Sequence, residues 1–78
     1  MTQPTITIYS TPTCHFCHMA KDYFDAHDLK YEDYNVAVDA EKRKEMVEKT
    51  GQMGVPVIVI GDQVIIGFDE GRIHSILP

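Results

Sequence analysis

The run Val57-Ile58-Val59-Ile60, followed by Gly61-Asp62, constrains the fold more than any other stretch of this sequence. A continuous β-branched run is typical of a strand that is buried on both faces of a sheet. Gly61-Asp62 predicts a two-residue turn into a further strand over Gln63–Ile66. The second half of the chain is therefore expected to contribute an antiparallel pair of strands.

Periodicity predicts two more strands and a helix in the first half of the chain. Residues 5–9 alternate with period two, with Ile6 and Ile8 on one face, and residues 31–36 are polar enough for a strand at a sheet edge. Because a helix joins these strands, they should be parallel. Apolar positions on that helix, which begins near Cys14, recur at helical spacing: Phe16, Ala20, Tyr23, Phe24 and His27.

A second helix is predicted between the edge strand and the buried run. Asp39 is a plausible N-cap, and Gly51 is placed to end the helix. The apolar stripe is thin and consists of Met46, Val47 and Thr50. Charges of both signs fill the remaining positions, which indicates a solvated face rather than a basic binding patch.

A short third helix and the size of the chain complete the predicted architecture. Asp69 can cap a helix that carries Ile73, Ile76 and Leu77 on one face. The element order is then β-α-β-α-β-β-α, an α/β arrangement with one sheet and helices. With 78 residues, 44% of them hydrophobic and 24% charged, the chain suits a single globular domain over residues 1–78.

The charge balance argues against two classes of partner. A net charge of -5 leaves no stripe of Lys and Arg for nucleic acid, and it disfavours anionic membrane surfaces. The first four residues lack a basic leader segment, and no apolar run approaches the ~18 residues that span a bilayer. We expect a monomer in the cytoplasm, where free thiols stay reduced.

Cys14 and Cys17 are the two cysteines of the chain, and their spacing indicates chemistry rather than a structural disulfide. A predicted helix N-terminus offers unpaired backbone N–H groups and the positive end of the helix dipole, which stabilise a thiolate. Cys14, the more N-terminal thiol, is the predicted nucleophile. Cys17, one turn later, is placed to resolve the mixed disulfide.

Two histidines accompany the pair, and they allow other interpretations. If protonated, His15 or His18 would further stabilise a Cys14 thiolate; alternatively, both are exposed residues without influence. Cys-x-x-Cys-His is also the c-type haem attachment pattern, but this chain shows neither an export segment nor a second half suited to wrapping haem.

Metal binding and interaction without chemistry are the remaining alternatives. Ligands packed into one or two helical turns cannot surround a single ion tetrahedrally, so no metal ligands are assigned within the chain. A metal or iron-sulfur cluster that bridges two molecules through Cys14 is the second hypothesis. A redox-inert interaction domain is the third.

Three stretches of the sequence carry a family resemblance. Residues 9–17 follow the first strand, Gly54-Val55-Pro56 precedes the third strand, and residues 67–70 precede the last helix. In this order they resemble the glutaredoxin and thioredoxin superfamily, and most closely its small bacterial and archaeal glutaredoxin-like proteins. The resemblance implies a thioredoxin fold, with a four-stranded mixed sheet flanked by three helices. It also implies a thiol-disulfide oxidoreductase without a tightly bound cofactor.

The resemblance further implies substrate-binding residues. Pro56 matches the cis-proline of the superfamily, which faces the cysteine pair and leaves the backbone of Val55 open to a substrate strand. Gly67, Phe68 and Asp69 match the stretch with which glutaredoxins hold the γ-glutamyl end of glutathione.

Some positions depart from the glutaredoxin pattern. Thr11 stands where a lysine is usual, His15-Phe16 replaces the usual Pro-Tyr, and Gly67 replaces a double glycine. The Trp-Ser-Gly-Phe-Arg-Pro end of redoxins that take electrons from thioredoxin reductase and serve ribonucleotide reductase is also absent. The electron donor, glutathione or thioredoxin reductase, therefore stays open at the level of sequence.

Overall fold

The secondary structure follows the predicted order. The computed structural model describes residues 4–76, so Leu77, predicted on the last helix, lies outside the described residues. The elements are β1 (Ile6–Ser10), α1 (His15–Ala26), β2 (Glu32–Asn35), α2 (Ala40–Thr50), β3 (Val57–Ile60), β4 (Gln63–Ile66) and α3 (Glu70–Ile76).

The four strands form one mixed sheet in the order β2-β1-β3-β4. The parallel pairing of β1 with β2 and the antiparallel pairing of β3 with β4 confirm the predictions, and β2 lies at an edge. The antiparallel registers pair Tyr9 with Val57 and Val57 with Ile66. Consequently the chain leaves β1, enters β3 and leaves β4 at one end of the sheet.

Each face of the sheet has its own apolar layer, because successive strand residues point to opposite faces. One layer joins α1 and α3 to the sheet through Ile6, Ile8, Ala20, Phe24, Ile58, Ile60, Ile65 and Ile73. The other layer, under α2, consists of Tyr9, Val36, Met46 and Val57. The sheet is thus covered by helices on both sides, as a thioredoxin fold requires.

The predicted helix ends are confirmed by their hydrogen bonds. The Asp39 Oδ1 accepts from Lys42 N at 3.0 Å, and the Asp69 Oδ1 accepts from Arg72 N at 3.1 Å. Gly51 follows α2 in the left-handed conformation with φ 75°, which glycine adopts without steric cost. Across residues 4–76, none of the helices is long and apolar enough to cross a bilayer.

The predicted apolar stripe of α1 was wrong at both of its ends. Its fully buried side chains are Cys17, Ala20 and Phe24, so Phe16 lies one position off this line and is 56% exposed. His27 follows the last helical residue and is also exposed.

Two other burial predictions were too broad. Val59 of β3 is half-buried rather than buried, on the face that α2 covers only in part. On α2 itself, Met46 alone is buried, and the predicted stripe members Val47 and Thr50 are half-exposed.

Candidate functional site

The cysteine pair lies at the N-terminus of α1, where its two thiols have different environments. Cys14 is the N-cap residue, and its Sγ accepts a hydrogen bond from the backbone N–H of Cys17 at 3.2 Å. The sulfur thus takes the place of the serine or aspartate oxygen that usually satisfies a free N–H group at this position. Cys14 is half-exposed, whereas Cys17 is completely buried, and both thiols are free.

The surroundings of Cys17 favour its protonated form. Burial, followed by the hydrogen bond with Cys14 and the charge of Cys14, raises the pKa of the Cys17 thiol to about 12. A backbone hydrogen bond with Thr11 and, more weakly, the positive charge of Lys21 lower the pKa, but burial and the hydrogen bond with Cys14 are the larger effects. Cys17 therefore carries its proton at neutral pH, and Cys14 offers the accessible sulfur.

The two histidines next to the pair make contacts with other groups. The His18 Nε2 lies 2.8 Å from the carbonyl oxygen of Pro12, so a protonated Nε2 donates to the loop that precedes α1. His15 places its ring against the edge of the Phe16 ring, with 5.6 Å between ring centroids. An influence of His15 or His18 on Cys14 stays a prediction.

The predicted substrate-binding segments meet at the same end of the sheet. The Val55-Pro56 peptide bond is cis, and the Gly67 N–H donates to the Pro56 carbonyl at 2.9 Å. The antiparallel registers put both segments at the end where β1 leads towards the cysteines. Within the described residues, the backbone N–H and C=O of Val55 have no hydrogen-bond partner.

Phe68 and Asp69 have structural contacts of their own. Phe68 is half-buried and lies 6.0 Å from the Tyr23 ring, centroid to centroid, next to the core. The carboxylate of Asp69 caps α3 through one oxygen, while the residue stays exposed. These contacts leave the predicted glutathione-binding role of residues 67–69 as a prediction.

A polar network near the cysteine helix was not predicted from sequence. The Ser10 Oγ donates to the Asp33 Oδ1 at 2.5 Å, and the Asp33 Oδ2 accepts from the Lys21 Nζ at 2.7 Å. The network joins β1, β2 and α1, and Ser10 is the buried polar residue of the core. Lys21 falls four residues after Cys17, and this spacing is the one sequence feature that could have indicated that Lys21 lies near the buried thiol.

Residues 4–76 lack the donor set of a metal site built within one molecule. No group of three or more His, Cys, Asp and Glu side chains in this part of the chain could hold a metal ion. A cluster held by Cys14 and Cys17 would need its other ligands from a second molecule or a bound thiol.

The sheet order, its helices and the dithiol at the α1 N-terminus define a thioredoxin-fold redox protein. Residues 6–65 match the Glutaredoxin family model. The chain belongs to the glutaredoxin family.

Its relatives include both glutaredoxins and glutaredoxin-like redoxins. An uncharacterized glutaredoxin-like 8.6 kDa protein of Clostridium pasteurianum is 42% identical over 72 residues, 92% of this chain and 96% of that protein. Glutaredoxin 3 of Escherichia coli K12 is 34% identical over 65 residues, 83% of this chain and 78% of that protein. The structure of the glutaredoxin-like NrdH-redoxin from Escherichia coli superposes with a TM-score of 0.82 at 30% identity, over 95% of this chain and 96% of that one.

Proposed function

We propose that this protein is a dithiol electron carrier that reduces disulfides of proteins or small molecules. The observation that carries the proposal is the asymmetry of the pair: a half-exposed Cys14 sulfur at a helix N-terminus and a buried, protonated Cys17 beside it. An accessible thiolate is the species that attacks a disulfide. The family membership supports the same reaction class.

The reaction proceeds in two exchanges. The Cys14 thiolate attacks one sulfur of the substrate disulfide, forms a mixed disulfide and releases the first substrate thiolate, which takes up a proton. Cys17 then loses its proton and attacks the Cys14 sulfur. The Cys14-Cys17 disulfide forms, the second substrate thiolate leaves and takes up a proton, and two electrons have passed from the protein to the substrate.

The open backbone of Val55 is the proposed contact for the substrate. An extended segment that carries the disulfide would pair with the N–H and C=O of Val55 next to Pro56, as a strand adds to a sheet edge. This pairing fixes the direction of the segment, so that its disulfide is aligned with the Cys14 sulfur at the same end of the sheet.

We propose thioredoxin reductase rather than glutathione as the electron donor. Glutathione is anionic, and this protein has a net charge of -5 and Thr11 at the position of the usual lysine. The Gly67 N–H is used by Pro56, and one Asp69 oxygen is used by the cap of α3. The Escherichia coli NrdH-redoxin, described as having a thioredoxin-like activity profile, supports this choice.

Serine variants of each cysteine test the reaction. Cys14→Ser should abolish reduction of a model disulfide, whereas Cys17→Ser should form a mixed disulfide that accumulates and is visible by mass spectrometry. Met19→Ser introduces the same residue at a partly exposed position of α1 and should retain activity. Full turnover by Cys14→Ser would refute the proposed function.

The donor is tested by NADPH oxidation in two coupled systems. One contains thioredoxin reductase alone, and the other contains glutathione with glutathione reductase. We expect turnover with thioredoxin reductase. Turnover confined to the glutathione system would overturn the choice of donor, place glutathione at residues 67–69 and leave the two-cysteine reaction intact. In either case the thiols must be reduced again after each cycle, which fits the cytoplasmic location expected from the sequence.

A further inference from the structure

Lys21, Asp33 and Ser10 form a polar network whose position relative to Cys17 has a chemical consequence. Lys21 and Cys17 lie four residues apart on α1, so their side chains are neighbours on one face of the helix. Cys17 is completely buried, and the Lys21 side chain is only 21% exposed, so water screens the charge of Lys21 incompletely. The ammonium group is held at 2.7 Å by the Asp33 Oδ2.

Ser10 fixes the carboxylate that holds the lysine. Its hydroxyl donates to the Asp33 Oδ1 at 2.5 Å, so each oxygen of Asp33 has one partner. Ser10 is 1% exposed and is the last residue of β1, from which the chain continues to Cys14. The lysine is therefore positioned by two strands of the sheet and is not a freely rotating surface charge.

We propose that Lys21, held by Asp33 and Ser10, promotes the resolution step by placing a positive charge beside the Cys17 sulfur as it becomes a thiolate. This inference rests on the proposed two-cysteine reaction and assigns its second exchange a positioning network. Lys21 makes no bond to substrate, and it acts through Cys17.

The charge matters because the two exchanges place different demands on Cys17. Before the first exchange, the hydrogen bond and the charge of Cys14 keep the proton on Cys17. After it, the Cys14 sulfur belongs to a neutral disulfide, and burial is the remaining obstacle to ionisation. Lys21 and the Thr11 backbone bond oppose that obstacle, and Lys21 is the charged group of the two. The proton that leaves Cys17 balances the one taken up by the departing substrate thiolate.

The remaining charged groups around the site are few. Cys14 and Lys21 are the titratable groups that act on the Cys17 thiol, and Asp33 of β2 faces it through Lys21. The His18 ring is directed to the Pro12 carbonyl, and the Val55-Pro56 segment carries no charge. A change in the pH profile of a Lys21 or Asp33 variant can thus be assigned to a change in the charge that acts on Cys17.

The second exchange can be measured alone in a pH-jump experiment. At acidic pH the reduced protein reacts with the symmetrical disulfide of a chromogenic thiol, which leaves one chromogenic thiol as a mixed disulfide on Cys14 and releases the other. After this first release, the departure of the bound thiol is followed after jumps to a series of higher pH values. The variants are Lys21→Met, which keeps an apolar stem, and Asp33→Asn, whose amide oxygen can accept from the Lys21 ammonium group while its NH2 group donates to the Ser10 hydroxyl. Lys42→Met is the matched control, because Lys42 also forms an ion pair, with Glu45 at 3.4 Å.

Opposite effects of the two variants are expected. Loss of the positive charge should lower the thiolate fraction of Cys17 about tenfold. The thiolate that remains is more basic and therefore more nucleophilic, which offsets part of this loss. The release rate of Lys21→Met should consequently fall about threefold, and its pH profile should shift to higher pH. Asp33→Asn removes the neutralising charge, so it should raise the rate and shift the profile to lower pH. Lys42→Met should behave as the wild type.

The opposite directions of the two rate changes distinguish an electrostatic effect on Cys17 from structural damage, which would slow both variants. A wild-type profile for Lys21→Met, or equal slowing by Lys21→Met and Asp33→Asn, would overturn the proposal. The rate of mixed-disulfide formation, measured in a Cys17→Ser background, distinguishes this failure from a failure of the proposed function. If no mixed disulfide forms on Cys14 even there, the two-cysteine reaction itself is wrong.

Discussion

Replacement of Met46 by alanine tests how α2 is held on the sheet. Met46 is the one fully buried side chain of this helix and packs with Tyr9, Val36 and Val57. The change removes Cγ, Sδ and Cε, which at about 0.8 kcal/mol for each methylene-sized group is about 2.4 kcal/mol of transfer free energy. The residual cavity raises the expected loss to about 3 kcal/mol.

This loss is large for a chain of this size. A domain of 78 residues has a free energy of unfolding of roughly 4–12 kcal/mol, so the variant should lose a quarter or more of it. Urea unfolding followed by circular dichroism measures the loss directly. The Tm should fall by about 12–24 °C, because 1 kcal/mol corresponds to about 4–8 °C in a small domain.

Two further variants show whether loss of buried volume causes the lower stability of Met46→Ala. Met46→Leu nearly conserves the volume and should cost less than about 1.5 kcal/mol. Val47→Ala, at the half-exposed next position, should cost about 1 kcal/mol or less. The reasoning is refuted if Met46→Ala loses less than about 1 kcal/mol, or if Val47→Ala loses as much as Met46→Ala.

Other predictions concern pH, backbone conformation and metal content. Burial and the hydrogen bond to Glu45 raise the pKa of the Tyr9 hydroxyl far above its usual value. The Tyr9 hydroxyl therefore contributes fully to the free energy of unfolding below about pH 10, and this contribution is lost as the pH rises through the folded-state pKa. Tyr9→Phe should lower the free energy of unfolding by about 1 kcal/mol at neutral pH. It should also make the fall of the urea midpoint with rising alkaline pH less steep. The same steepness in wild type and variant would contradict this prediction. Gly51 has φ 75°, so Gly51→Ala should lower the free energy of unfolding by about 1–2 kcal/mol, and Gly51→Asn should lower it less. Gly54→Ala is the control and should change this free energy by no more than about 0.5 kcal/mol. Equal losses for the two alanine variants would rule out backbone conformation as the cause. Protein purified without oxygen should be colourless and free of stoichiometric metal, whereas visible absorbance that disappears in Cys14→Ser would favour the cluster hypothesis.

Local sequence features predicted most of the fold. The caps Asp39 and Asp69 and the Gly61-Asp62 turn act within a few residues, and the structure confirms them. Burial of single side chains was less predictable, because periodicity gives the direction of a helix face but not its width. Phe16 shows this error: it lies beside the Cys17 line and is exposed.

The parts of the site that depend on distant residues could not be predicted. Asp33 is 23 residues from its partner Ser10, and no local pattern pairs a residue in an apparent loop with a charge on an edge strand. The position of the two cysteines at a helix start, by contrast, was predicted from local sequence and is confirmed, while the roles of Cys14 as nucleophile and Cys17 as resolving thiol stay predictions. The resemblance, rather than periodicity, supplied the cis bond before Pro56, which the structure contains.

The buried stripe of α1 explains why Cys17 is buried and Cys14 is half-exposed although they are three residues apart. Cys17 shares this stripe with Ala20 and Phe24, which pack against the sheet, and its side chain is completely buried and removed from water. Cys14 precedes the helix and escapes that burial, while its sulfur accepts a hydrogen bond from the backbone N–H of Cys17 in the first turn. The rotation of α1 about its axis therefore sets both the accessibility of Cys14, the proposed nucleophile, and the burial that keeps Cys17 protonated. A rotation that exposed Cys17 would remove the burial that keeps the proton on its thiol, and with it the asymmetry on which the proposed order of the two exchanges rests.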